Sequence, residues 1–224
     1  MTRLRLALLN AAHDPADTRA NFRREVDADL VEYHVVEGDL PAPEESFDAA
    51  IVTGSKSSVY WDEPWIEPTV EWVADAIDRG LPVLGICFGH QLVATALGGA
   101  VEDMGEYELG YREITHDGSA LFEVIDSPFL AFTTHSDTVE TVPPGATVVA
   151  ENDYGVQGFR AGRTVGLQFH PEYDRETAAR VTNRKDLPQE RIDAVLDEIT
   201  DETVEKAAPA AVVFENFLRM AVDA

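Results

Sequence analysis

The chain's single cysteine, Cys87, has the sequence surroundings of a nucleophile. It lies between Gly85 and Gly89, where the continuous apolar run 81–86 ends and a helix-prone segment begins. Glycines two residues before and two after are typical of a nucleophile elbow, a sharp strand-to-helix turn that presents a reactive side chain. Neighbouring elements crowd those two positions, so residues without a Cβ atom fit best there. An inert core cysteine would leave both glycines unexplained, so we interpret Cys87 as reactive.

The position of Cys87 also predicts how its reactivity is raised. Backbone N–H groups at the start of the following helix point at the sulfur, and the helix dipole there favours thiolate over thiol. The N–H of Phe88 is therefore a candidate donor to an oxyanion that forms during attack on a carbonyl group.

A thiol nucleophile needs a base, and His170 is the best candidate among six histidines. The apolar run 164–169 carries His170 to the end of a predicted strand, and Pro171 stiffens the exit. Glu172 lies two residues further on, where its carboxylate can accept a hydrogen bond from the imidazole and fix its tautomer. His90 lies inside the elbow segment, and we interpret it as a packed residue at the start of a helix.

Two segments together resemble the class I (triad-type) glutamine amidotransferases. The family's elbow typically reads G-[IV]-C-x-G-H-Q and its base segment G-x-Q-F-H-P-E, and here segments 85–91 and 166–172 read GICFGHQ and GLQFHPE. Within the family, the glutaminase part of GMP synthase and its stand-alone relatives are the most similar. The resemblance implies a flavodoxin-like α/β fold, with a mostly parallel central sheet flanked by helices and an antiparallel extension.

The resemblance also implies roles for further residues. Gly54 corresponds to the second oxyanion donor beside Phe88, and Gln91 to a glutamine that holds the amino-acid end of the substrate. Segment 134–137 (THSD) matches an S-H-x-D stretch that lines the glutamine pocket, which makes His135 and Ser136 candidate substrate-binding residues. Segment 53–62 departs from the family's G-G-P-like turn, so the loop over the substrate is expected to differ.

The implied activity is hydrolysis of the glutamine side-chain amide through a cysteinyl thioester, without a metal or cofactor. The chain has no G-x-x-x-x-G-K-[ST] phosphate loop and no S-G-G-x-D-S pyrophosphatase loop, so a separate ATP-dependent synthetase is the expected ammonia acceptor. A γ-glutamyl peptidase or hydrolase with the same three residues is the main alternative. A metal hydrolase using His135, Asp137, His170 and Glu172 would leave Cys87 unexplained, and a catalytically inactive binding module would not need all three groups.

The elements that must position these residues alternate along the first half of the chain. Apolar runs at 4–9, 30–36, 47–53 and 81–86 predict strands, and helical patterns cover 17–26, 65–79 and 90–97. Short β-like runs follow at 109–115, 129–134, 147–151, 156–160 and 164–169. Helix-prone sequence covers 176–205, interrupted at Pro188, and a last amphipathic helix is predicted over 210–222. We predict a single domain over 1–224, with a core of about 1–173 and a helical C-terminal part over 174–224.

Charge restricts the possible partners. The chain has 42 acidic and 17 basic residues, for a net charge of −25, and only three of its basic residues are lysines. Such a surface repels nucleic acids and anionic membranes. The acidic residues are spread along the chain, which favours adaptation to a salty cytoplasm over an acidic docking face. No apolar run is long enough to span a bilayer, and a single cysteine excludes an internal disulfide.

Overall fold

The computed structural model describes residues 3–222, and within them the chain forms one nine-stranded sheet flanked by helices. The strands follow the order β2-β1-β3-β4-β9-β8-β7-β5-β6 across the sheet. Their bounds are β1 Arg5–Asn10, β2 Asp29–His34, β3 Ala49–Val52, β4 Val83–Ile86, β5 Ala100–His116, β6 Phe129–Thr141, β7 Thr147–Asn152, β8 Gly155–Ala161 and β9 Thr164–Leu167. The helices are α1 Pro15–Glu25, α2 Ile66–Asp78, α3 Phe88–Ala96, α4 Arg175–Asn183, α5 Gln189–Glu198, α6 Asp201–Ala207 and α7 Val212–Val222.

The parallel half of the sheet comprises β2, β1, β3, β4 and β9. Every residue of β3, β4 and β9 is buried, as expected where helices cover both faces of parallel strands. One face packs against α1 and α7 through Phe22, Phe214 and Phe217, and the other against α2 and α3. The predicted α/β fold with a mostly parallel core is confirmed.

The antiparallel half of the sheet comprises β8, β7, β5 and β6. The predicted extension is therefore present, but its longest strands were underestimated. The runs at 109–115 and 129–134 are only parts of β5, which has 17 residues, and of β6, which has 13. The first half of β5 is largely exposed and charged, so it lacks the apolar pattern from which strands are predicted.

Four helices, α4 to α7, follow the sheet between residues 175 and 222, where the sequence predicted helical segments. The carboxylate of Asp174 accepts a hydrogen bond from the N–H of Thr177 at 2.8 Å and so caps the start of α4. Pro188 directly precedes α5, where its fixed backbone angle suits a helix start. None of the helices within residues 3–222 is both long and apolar enough to cross a bilayer.

Candidate active site

Cys87 occupies the turn between β4 and α3 with a strained backbone. Its φ of 52° and ψ of −106° lie in a region that residues with a Cβ atom rarely adopt. The N–H of Cys87 donates to the carbonyl of Leu167 at 2.8 Å, which ties this turn to β9. Strain of this kind persists only where the surrounding structure enforces it, and it is frequent at functional sites. The predicted elbow is present.

The two glycines beside Cys87 are required by close backbone contacts. A Cβ atom at Gly85 would lie 2.2 Å from the carbonyl oxygen of Gly89, and one at Gly89 would lie 2.2 Å from that of Val52. Both distances are far below van der Waals contact, and both involve backbone atoms that cannot turn away. The structure therefore confirms the reason for which the sequence predicted an elbow.

His170 and Glu172 form a buried pair just after β9. His170 donates its backbone N–H to the carbonyl of Phe132 at 2.8 Å, which attaches it to β6. Its Nδ1 lies 2.8 Å from Oε1 of Glu172, and both side chains are nearly fully buried. Because a carboxylate only accepts, Nδ1 carries the proton of this hydrogen bond. Nε2 has no hydrogen-bond partner among residues 3–222 and is available for chemistry.

The electrostatics around His170 favour its charged form. Burial lowers its pKa, but the charges of Glu172 and Cys87, together with hydrogen bonding to these two residues, outweigh burial and raise the pKa to about 10. An imidazolium next to a thiolate is the ion pair that makes a cysteine nucleophilic at neutral pH. His90, in contrast, is fully buried against Phe159, and burial lowers its pKa to about 3.

Gly54 lies between the two reactive groups. A Cβ atom at this position would lie 3.0 Å from Cε1 of His170 and 3.6 Å from Cβ of Cys87. Gly54 follows β3 by two residues and, with Cys87 and His170, lines one cavity. Phe88 begins α3, so its N–H belongs to the first turn, where backbone donors lack intrahelical acceptors. Both predicted oxyanion donors are thus close to Cys87 along the chain or in space.

The three predicted substrate-binding residues lie outside the lining of this cavity, whereas Thr134 belongs to it. Gln91 is buried, and its side-chain amide donates to the carbonyl of Asp137 at 3.1 Å and to Gln168 at 3.0 Å. His135 is also buried, with Nδ1 2.9 Å from the same carbonyl. Ser136 is only partly buried. A role for Gln91, His135 and Ser136 in substrate binding stays a prediction.

Glu108, which the sequence did not single out, is a buried hydrogen-bond partner of His135. Glu108, fully buried on β5, lies 2.6 Å from Nε2 of His135 and accepts from Asn152 and Gln157 at 2.7 and 3.0 Å. Burial raises the pKa of Glu108, but the hydrogen bond and charge of His135 with the two amides more than offset it, so its pKa is lowered. Glu108 lies in the largely exposed first half of β5, close to other acidic residues, so nothing in the sequence marked it as buried or paired.

Asp137 connects this region to the loop after β3. Its carboxylate accepts hydrogen bonds from the hydroxyls of Ser58, at 2.5 Å, and Tyr60, at 2.9 Å.

His135 pairs with Glu108 while His170 pairs with Glu172, so the four residues named for a metal hydrolase do not share one cluster. No group of three or more candidate metal ligands occurs in the part of the chain that the structure describes.

The cavity beside Cys87 has a volume of about 370 Å³ and an unusual share of the chain's cations. Lys56, Arg184 and Lys185 line it, so two of the protein's three lysines are at this one site. Asp14 and Asp17 also line it, and Asp17 is paired with Arg180 at 2.7 Å. A cavity that carries both charges suits a zwitterionic ligand such as an amino acid.

Comparison with known proteins identifies the family. The sequence profile described as Glutamine amidotransferase class-I matches residues 17–186. The chain belongs to the class I glutamine amidotransferases. GMP synthase [glutamine-hydrolyzing] from Pyrobaculum aerophilum is 36% identical in an alignment of 182 positions that covers 73% of this chain and 34% of that protein. The corresponding enzyme from Corynebacterium ammoniagenes is 36% identical over 128 residues, or 55% of this chain and 23% of that protein. This amidotransferase chain thus spans only about a quarter to a third of these relatives.

Solved structures show the same fold over the whole chain. A glutamine amidotransferase from Thermotoga maritima superimposes with a TM-score of 0.82 at 22% identity, covering 100% of both chains. A glutamine amido transferase from Methylobacillus flagellatus gives a TM-score of 0.75 at 20% identity, covering 98% of this chain and 95% of that one. At such identities the likeness establishes the fold of this amidotransferase alone.

Proposed function

We propose that this class I amidotransferase hydrolyses the side-chain amide of glutamine, with Cys87 as nucleophile, His170 as acid and base, and Glu172 as the residue that orients His170. The observation that carries the proposal is the convergence of two independent features on one cavity. Cys87 is held in a strained turn by two glycines, and the available Nε2 belongs to a histidine already paired through Nδ1.

Acylation begins when the Cys87 thiolate attacks the side-chain carbonyl carbon of glutamine. The carbonyl oxygen becomes an oxyanion, to which the N–H groups of Gly54 and Phe88 donate. Nε2 of His170 gives its proton to the departing nitrogen, the C–N bond breaks, and ammonia leaves a γ-glutamyl thioester. His170, now neutral, accepts a proton from water as the water attacks the thioester. Glutamate is released, and the proton on His170 restores the starting ion pair.

The ammonia is proposed to pass to a separate ATP-dependent synthetase. Support comes from the curated relatives, which are named GMP synthases and are about three to four times as long as the segment they share with this chain. Ammonia is a small neutral molecule, so it needs a partner that encloses it rather than one that binds it tightly. We infer that such a partner docks over the opening of the Cys87 cavity.

A second candidate function is hydrolysis of γ-glutamyl amines, in which an amine replaces ammonia as leaving group. The chemistry and the residues are unchanged. What favours it is the cavity, whose volume of about 370 Å³ lies within the range of small-molecule sites. Lys56, Arg184 and Lys185 line this cavity and can donate hydrogen bonds to a carboxylate on the leaving group.

The deciding experiment measures release of glutamate and ammonia from glutamine in molar KCl, for the wild type and for Cys87→Ala. We expect equimolar release by the wild type and none by the variant, while both melt at similar temperatures. Lys206→Gln, on exposed α6, is the control for an indifferent substitution. Release by Cys87→Ala at the wild-type rate would refute the proposal, and faster turnover of γ-glutamyl peptides than of glutamine would favour the second candidate.

A further inference from the structure

Tyr173 lies flat against the imidazole of His170. The two ring centroids are 4.1 Å apart and the ring planes differ by only 19°, which is a parallel stack. Tyr173 directly follows Glu172 in the chain and precedes the cap of α4, so its place is fixed by both. Its other aromatic contact is Phe132, 5.8 Å away, whose carbonyl accepts from the backbone of His170.

We propose that Tyr173 is a positioning residue that stabilises the imidazolium form of His170 through the face of its ring and thereby keeps Cys87 as a thiolate. This inference rests on the proposed function. The negative face of an aromatic ring attracts a cation within about 6 Å of its centroid, and the attraction is strongest where water is excluded. A stacked imidazolium 4.1 Å away meets this condition, and His170 is almost fully buried.

Tyr173 also restricts the imidazole where hydrogen bonds do not. Within residues 3–222, Nδ1 is the ring atom of His170 with a hydrogen-bond partner, Glu172, and a single bond leaves the ring able to tilt about it. The stack fixes the plane of the ring, and the plane fixes the direction in which Nε2 points. His170 and Tyr173 line the Cys87 cavity and also a second cavity of about 190 Å³. The stacked pair therefore borders both spaces.

The charges that face this stack are compatible with a role for the ring. The charges of Glu172 and Cys87 raise the pKa of both His170 and Tyr173. The pKa of Tyr173 is also raised by the charge of Tyr107 and lowered by that of Arg180. The second cavity adds three further titratable groups, which are Glu25, Tyr111 and Asp174. Burial raises the pKa of Tyr173 well above its ordinary value, and the charges of Glu172 and Cys87 raise it further, so its hydroxyl stays neutral. The ring thus contributes its π face and not a charge.

The test uses the fact that Cys87 is the protein's only cysteine. In alkylation by iodoacetamide the thiolate sulfur forms a bond to carbon and iodide leaves, so the rate follows the thiolate fraction. The rate is measured from about pH 4 to about pH 11, beyond the His170 pKa of about 10, from the mass of the intact protein and without substrate or partner. Variants are Tyr173→Leu, which removes the ring, Tyr173→Phe, which keeps it, and Tyr111→Leu. Tyr111 packs edge-on against Phe132 and does not stack on His170, so it is the matched control.

We expect Tyr173→Leu to move the alkaline step of the alkylation profile, at which the His170 imidazolium loses its proton and the thiolate becomes more basic and more reactive, about one pH unit downward. A shift of one pH unit is a ten-fold change in the proton equilibrium, about 1.4 kcal/mol, and lies within the range for such contacts. The acid limb should stay in place, because the imidazolium is present on both sides of that step. Tyr173→Phe should retain the wild-type alkaline step, and Tyr111→Leu should lower the melting temperature without moving it.

Several results would overturn the inference. A wild-type profile at the ordinary thiol pKa would remove the ion pair on which it depends. An unshifted alkaline step in Tyr173→Leu would remove the ring's role, and an equal shift in Tyr111→Leu would make the effect merely structural. An equal shift in Tyr173→Phe would transfer the role to the hydroxyl. Absence of glutamine hydrolysis together with the expected alkylation pattern would count against the proposed function alone.

Discussion

Gly54→Ala isolates the space between Cys87 and His170 without removing any proposed hydrogen-bond donor, because alanine keeps the backbone N–H. The added Cβ atom would lie 3.0 Å from Cε1 of His170 and 3.6 Å from Cβ of Cys87. A contact of 3.0 Å is tighter than nearly all real Cβ contacts, so the imidazole has to move by a few tenths of an ångström. Overpacking of this kind costs about 1–3 kcal/mol of stability.

The loss of stability should be accompanied by a separate catalytic effect. A misplacement of about 1 Å at a reacting group costs roughly 100-fold in rate, so a displacement of a few tenths of an ångström should lower kcat/KM about ten-fold. Glutamate release and the melting temperature are measured together. Gly158→Ala is the matched control, because its Cβ atom would also lie 3.0 Å from a side chain, Cδ2 of Leu167, yet outside the cavity lining.

We expect both variants to melt at similarly lowered temperatures. Gly158→Ala should keep the wild-type kcat/KM, whereas Gly54→Ala should lose kcat/KM. The reasoning would be refuted by wild-type kcat/KM in Gly54→Ala. It would also be refuted by an equal loss in both variants, which would mean that general loosening, not the position of His170, controls the rate.

Three further predictions concern charge. Glu172→Gln removes the carboxylate that helps to raise the pKa of His170, so this pKa falls and the alkaline limb of the pH–rate profile moves to lower pH. The variant's kcat should also fall roughly 10²–10⁴-fold. An alkaline limb that does not shift, in rate assays across the pH range, would contradict this prediction. Lys56→Gln removes one cavity cation and should raise KM for glutamine up to about five-fold with little change in kcat, while Lys206→Gln leaves KM unchanged; equal KM values in both variants would exclude Lys56 from substrate attraction. Because the protein has a net charge of −25, its melting temperature should rise between dilute and molar KCl. Salt shortens the distance over which the acidic groups repel one another from about 10 Å at 0.1 M to about 3 Å at 1 M. A calorimetric melting temperature that does not change with salt would refute the salt-adaptation hypothesis.

Local sequence predicted the parallel core and the elbow because their signals are short-range. Residues 81–91 carry an apolar run, two glycines and a helix start, and each of these restricts the backbone within a few residues. Gly80, for example, ends the predicted helix before β4 and has a φ of +82°, a conformation that favours glycine. The antiparallel half of the sheet was harder to predict. The exposed start of β5 is held in the sheet by pairing with β6, and its sequence lacks the apolar pattern from which a strand is predicted.

The amino-acid sequence by itself determined the family, the type of most elements and the three residues proposed for catalysis, because the motifs around Cys87 and His170 each lie within seven residues. Only the tertiary structure decided which groups meet. It placed Gly54 between Cys87 and His170, withdrew Gln91 and His135 into hydrogen bonds behind the cavity, and stacked Tyr173 on His170. These contacts depend on strand order and on side-chain directions across the sheet, which residues distant in sequence set jointly and no single segment encodes.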